Sequence, residues 1–163
     1  MAYALTNQFV FGAISDRPSL RLTRRNAAGF IIVASAIGGM IAMNLDMILD
    51  PVAVSVQNPG WVWIGGGPYF GIPVSNFIGW FFVTFFAVLL FRLYEALKSE
   101  PLEGARSIDV YIPALYLTYF LVEASRAIQI GRPEFVLIGF SSMFPFILFA
   151  ALILYTHKAR STR

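Results

Sequence analysis

Four long apolar stretches, separated by shorter polar or aromatic segments, dominate the pattern of the chain. The first covers about 27–49 and carries no charge until Asp46. The second, about 74–91, carries none. The third, about 108–130, is weaker, with Pro113 near its start and Glu123 and Arg126 towards its end. The fourth, about 135–156, is uncharged, and Pro145 is its expected kink site. A helix of about 20 apolar residues crosses the hydrocarbon core of a bilayer, and each stretch meets or approaches that length. The pattern predicts an all-α fold: a single polytopic membrane domain over residues 1–163, built as a bundle of about four transmembrane helices. Residues 1–13 are moderately apolar but too short to span, and no basic segment precedes them as in a signal peptide. They are read as an interfacial segment, or as the tail of a helix that begins ahead of this chain.

Charge gives the bundle a direction. Arg17, Arg21, Arg24 and Arg25 precede the first span, and the connection 50–73 has no Lys or Arg. Arg92, Lys98 and Arg106 follow the second span, while Lys158, Arg160 and Arg163 follow the fourth. With an even number of spans, this asymmetry predicts both termini on the cytoplasmic side of the cell membrane, N-in and C-in. Arg132, in the short outer connection, is the exception. Composition agrees with the bilayer: 58% of residues are hydrophobic and only 13% charged, against about a quarter in soluble domains. The chain has no cysteine, which excludes disulfides, thiolate metal sites and a Cys nucleophile. Its basic residues are scattered at membrane borders, so nucleic-acid binding has no support.

Small residues mark a packing face on the first span. Ala34, Gly38 and Ala42 recur every four residues beside Ser35 and Gly39, a spacing that lets helices approach closely in lipid.

Polar groups inside an apolar span are costly and call for a reason. Asp46 and Asp50 stand four residues apart, hence on one face near the outer end of the first helix. Asn44 lies about 160° from Asp46 around the helix. Two carboxylates sharing a poorly hydrated site do not readily ionise together, so one can keep its proton while the other is charged. That is the pairing needed for a general acid beside a general base. The plainer alternative is that Asp50-Pro51 ends the helix at the interface while Asp46 pairs with Arg126 or a backbone amide.

The connection 51–73 is unusual for an exposed loop, being rich in Gly, Pro and aromatics yet almost uncharged. It is expected to lie at the interface or fold back over the mouth of the bundle. Its glycines lack the lysine and the strand–turn–helix setting of a nucleotide-binding loop. Ser75 and Asn76 are candidate caps of the second helix. Asn76 also lies at the membrane level of Asp50, where it could orient a water or a carboxylate. Glu123 and Arg126, at i and i+3, are expected to pair within the third helix and to support the charge state of the aspartates. The single histidine, His157, lies among basic residues at the cytoplasmic end, and with only oxygen donors near the aspartates no metal site is expected.

The run Asp50-Pro51-Val52-Ala53-Val54, a Trp-containing segment, and then Gly66-Gly67-Pro68-Tyr69-Phe70-Gly71-Ile72-Pro73-Val74-Ser75-Asn76-Phe77-Ile78-Gly79-Trp80 resembles the signature of the membrane-bound carotenoid biosynthesis protein family. That family includes carotenoid 1,2-hydratases acting on gamma-carotene and on bacterioruberin precursors. The resemblance is strongest over residues 46–92 and continues as hydropathy to the C-terminus. Members are usually longer, with further helices ahead of the aspartate-bearing one, so this chain is expected to correspond to their C-terminal portion.

The resemblance implies hydration of a terminal C=C of a carotenoid ψ end group, a reaction that needs no organic cofactor and no metal. A protonated carboxyl adds its proton to one carbon, aromatic faces stabilise the tertiary cation, and a base deprotonates the attacking water. Asp46 and Asp50 are the candidates for acid and base in either order, and Asn76 for positioning the water. Trp61, Trp63, Tyr69, Phe70 and Trp80 are the candidate substrate-binding aromatics. The implied partners are the lipid bilayer, a carotenoid or other long isoprenoid entering between helices, and a homo-oligomer or other carotenoid-pathway membrane enzymes. Two other readings use the same residues: a non-catalytic carotenoid-binding or assembly subunit, and a small transporter working through intramembrane carboxylates.

Overall fold

The computed structural model describes residue 6 and residues 24–56, 59–97 and 111–161. Its four long helices are α1 (Arg24–Ser55), α2 (Val74–Leu97), α3 (Ile112–Gln129) and α4 (Glu134–Ser161). Among the described residues there is no sheet, and the one β-bridge joins Tyr69 to Ile72 in the α1–α2 connection. The chain is thus an all-helical membrane bundle. Three segments, Ala28–Ser55, Val74–Glu95 and Glu134–Leu152, are long and apolar enough to cross a bilayer. The expected third span is not among them: α3 has 18 residues and carries Glu123 and Arg126. Residues 108–110 of that expected span lie outside the described residues, as does much of the N-terminal segment.

Helix α1 is the centre of the bundle. It packs on α2 along one face and on α3 and α4 along another, α3 and α4 pack together, and α2 meets no other helix among the described elements. The division follows from the sequence of α1. Ile41, Ile48 and Val52, fully buried, form a stripe facing Tyr116, Phe135, Met143 and Ile147 of α3 and α4. Roughly 130° away lies a second stripe, Ser35, Gly39, Ala42, Asp46 and Asp50, at steps of four, three, four and four residues. Its small members let α2 come close. An ideal Cβ on Gly39 would stand 2.7 Å from the Phe81 carbonyl oxygen, and one on Gly38 3.0 Å from the Val88 side chain. These contacts set α2 antiparallel to α1, so the start of α2 lies beside the end of α1 that bears the aspartates.

Side-chain to backbone hydrogen bonds add to the packing. The Tyr116 hydroxyl donates to the Ile41 carbonyl at 3.0 Å, and the Ser142 hydroxyl to the Asn44 carbonyl at 3.3 Å. In lipid such bonds hold helices in register where apolar burial gives little preference. At the far end of α2, Arg92 is 4% exposed and donates through Nη2 to the Thr6 hydroxyl at 3.0 Å. Residue 6 is therefore packed into the bundle rather than lying apart from it.

Helix α1 does not stop at Pro51. It continues through Ser55, with Pro51 inside it and fully buried. This corrects the expectation that Asp50-Pro51 ends the helix, and the reason lies in the loop that follows.

Candidate functional site

A proline inside a helix has no N–H, so the carbonyl four residues earlier loses its partner. For Pro51 that carbonyl belongs to Met47. The Tyr69 hydroxyl supplies the missing donor, at 2.9 Å from the Met47 oxygen. Burial first, and then the negative field of Asp46, push the Tyr69 phenol up to about 12, so it keeps its hydrogen and remains a donor. The loop holds Tyr69 in place through a tight hairpin. Tyr69 and Ile72 exchange backbone hydrogen bonds of 3.3 and 2.8 Å, and the two residues between them, Phe70 and Gly71, have φ of 51° and 86°. Positive φ at both central positions is the type I′ turn, which costs a non-glycine residue such as Phe70 about 1–2 kcal/mol.

The strain at Phe70 is offset by where its ring goes. It packs edge-on to Tyr69 and to Phe135 at the start of α4, with centroids 5.0 and 4.9 Å apart. The Arg132 guanidinium lies over Phe135 and Phe70, at 4.7 and 5.6 Å from the ring centres, and is ion-paired to Glu134. The loop thus joins α2 to the α3–α4 turn across the aspartate-bearing end of α1. Replacing Tyr69 by Phe is expected to destabilise the fold by about 1–2 kcal/mol, because it leaves a partly buried carbonyl unpaired. In a Pro51→Ala background the restored amide serves Met47, so the same change should cost less than half as much. Thermal melts of the two single variants and the double variant in detergent measure this coupling, and simple additivity would refute the link.

Beneath the loop, Asp46 and Asp50 are 2% and 3% exposed. The Asn76 amide nitrogen donates to the Oδ2 of each, at 2.6 and 2.7 Å, and the carboxyls are within hydrogen-bonding reach of one another. An amide nitrogen carries two hydrogens, one for each carboxyl. Helix α2 begins at Val74, so Ser75 and Asn76 lie inside its first turn rather than ahead of it as caps. The Asn76 amide is turned towards α1 instead. Among the described residues neither aspartate has a cation partner. Arg126 donates to both oxygens of Glu123 at 3.0 Å, which corrects the alternative that it pairs with Asp46. Two buried carboxyls held by one neutral amide form a unit able to share a proton between them.

Next to this unit a groove of about 470 Å³ is lined by Trp63, Ser75, Asn76, Gly79, Trp80 and Val83. The five α2 residues occupy one face over about 12 Å of helix. Ser75, Trp80 and Val83 are exposed, so the groove opens on the flank of the bundle, and Asn76 is shared between it and the carboxyl pair. Of the expected site residues, Asp46, Asp50 and Asn76 come together, with Tyr69 behind them and Trp63 and Trp80 in the groove. Trp61 is 42% exposed and does not line it, Phe70 turns towards Arg132, and Glu123 and Arg126 bond to each other. Two residues that sequence reasoning gave no chemical role, Pro51 and Met47, prove to anchor the loop.

Among models of known protein families, the one described as carotenoid biosynthesis protein matches residues 9–146 of the chain. No curated protein and no solved structure matches it.

Proposed function

The chain belongs to the carotenoid biosynthesis protein family, and from that premise we propose that it hydrates a terminal C=C of a carotenoid ψ end group by acid–base chemistry. The observation that carries this reading is the carboxyl pair bridged by Asn76 and bordered by an aromatic groove on the membrane flank. One carboxyl enters as the acid and the other as the base. The acid's proton forms a C–H bond with the less substituted alkene carbon, using the π pair, and the tertiary carbon becomes cationic. The indole faces of Trp63 and Trp80 favour that cation. A water oxygen then bonds to the tertiary carbon and releases a proton to the carboxylate. Substrate and water are consumed, one alcohol is formed, and the pair again holds one proton. Because the carboxyls are within reach of each other, that proton returns to its starting position by a single transfer. Asn76, whose nitrogen serves both carboxyls, holds the pair together rather than the water.

In this reading the basic flanks lie in the cytoplasm and the pair sits at the opposite border of the cell membrane. The test is pigment analysis after expression of the chain in lycopene-producing cells. A product heavier by one water is expected. Unaltered lycopene beside folded, membrane-inserted protein that still co-purifies with pigment would favour a carotenoid-binding subunit instead.

A further inference from the structure

The groove wall is shared by Trp63 of the α1–α2 connection and by α2 residues as far along as Val83. From Val74 to Glu95, α2 is long and apolar enough to cross a bilayer. At a rise of 1.5 Å per residue, Gly79, Trp80 and Val83 stand about 8–14 Å into that helix. The segment around Trp63 therefore lies against the flank of α2. Its neighbours face away from the groove. Val62 is 73% exposed and Ile64 fully exposed, with Trp61 beside them half-exposed. A tight turn presents Ile64. The Gly66 N–H donates to the Trp63 carbonyl at 3.0 Å, and Gly65 supplies the positive φ, 85°, at the third position, which leaves Ile64 at the apex. We propose that Val62 and Ile64 are seated among lipid acyl chains beside α2, and that this seat holds Trp63 in the wall of the groove.

Water is a poor solvent for these two side chains. Neither carries a polar atom, and exposed apolar surface of this kind meets either a membrane or another protein. Two observations choose the membrane. No charged residue occurs between Asp50 and Arg92, so the segment offers a partner protein no ion pair and has no charge of its own to keep in water. Across the groove, Trp80 and Val83, 45% and 66% exposed, belong to the flank of the membrane span itself. The exposed face of the loop thus continues a surface that already meets lipid. Trp61, an indole with one apolar body and one N–H, suits the headgroup level next to it. The seat does not depend on the hydratase reading, because it concerns how the groove is bounded, whatever enters it.

The chain has no cysteine, so a single-cysteine variant carries a nitroxide label at one place only. In phosphatidylcholine vesicles, labels at Val62→Cys and Ile64→Cys should collide more with oxygen, which dissolves in lipid, than with a water-soluble nickel chelate. A label at Leu90→Cys, on the exposed side of α2, is the lipid standard. A preference for nickel at 62 and 64 would put the segment in water. Protection from both reagents would mean that a second copy or another protein covers it. Either result overturns the proposal. The link to the groove is read from Trp63 alone, in a Trp61→Phe/Trp80→Phe chain. There Ile64→Asp should move the Trp63 emission to longer wavelength, because a charge draws the turn out of the lipid and the indole with it. A label at Leu90→Cys in the same chain reports that the bundle is intact. Unshifted emission would show that the Ile64 contact does not hold Trp63, and would overturn the proposal as well.

Discussion

Replacing either Asp46 or Asp50 by asparagine will lower formation of the hydrated carotenoid by roughly 10²- to 10⁴-fold, the range that a positioned acid or base contributes. Asparagine has nearly the shape of aspartate, so the helix contacts of α1 survive the change. It neither delivers nor takes a proton. In the proposed mechanism the two carboxyls act through one proton, so the double variant should be little worse than either single one. The fold should tolerate these changes well. Two carboxyls packed at 2% and 3% exposure around one amide are not arranged for stability, and replacing one by a neutral amide removes an ionisable group from a poorly solvated place. Product analysis together with thermal melts in detergent would show activity lost and the melting temperature held or raised. A single variant that turns over at the unsubstituted rate would mean that the pair is not the reacting centre.

Changing Gly67 to alanine should have the largest effect on the fold, more than about 3 kcal/mol. A Cβ at this position would lie 2.2 Å from the Ile72 carbonyl carbon and oxygen and 2.3 Å from the Pro73 nitrogen. These are backbone atoms on the returning limb of the hairpin and cannot rotate aside. Ile72 is fully buried, so the limb cannot lift away without exposing it. Opening the hairpin would also draw Tyr69 away from Met47. Gly65 provides the comparison: its φ is 85°, but nothing lies within 4 Å of its would-be Cβ, so alanine there costs only the backbone strain of ~1–2 kcal/mol. Yield in the membrane fraction and resistance to proteolysis should separate the two variants clearly. Equal behaviour would show that the close approach at Gly67 is not what holds the loop.

What could be read in advance was what is local. The i, i+4 spacing put Asp46 and Asp50 on one face from sequence alone, and the small residues above them marked the same face as a contact. The start of α2 at Val74 was legible because Pro73 precedes it. The end of α1 was not. Pro51 ordinarily stops a helix, and its tolerance here depends on a hydroxyl 22 residues from the orphan carbonyl. No window of sequence contains both. Asn76 was ambiguous for the same reason: an asparagine in a first turn suits a cap, and only the neighbouring helix shows where its amide points. Among the tryptophans, the path of the loop decides that Trp63 reaches the groove and Trp61 does not. Helix α3 was legible as a helix, yet its ion pair, drawn together at 3.0 Å, keeps it below the apolarity of its three companions.

The groove lies along the side of α2, within the thickness of the bilayer, and that changes what concentration means for this protein. The polyene substrate proposed above would reach it already dissolved in the membrane, travelling in two dimensions. Occupancy of the groove would then follow the mole fraction of polyene among the surrounding lipids, whatever the volume of water outside. Extra lipid dilutes such a substrate even when its total amount is constant, so neighbouring enzymes that share a small patch of membrane would supply it more effectively than a larger pool spread thinly.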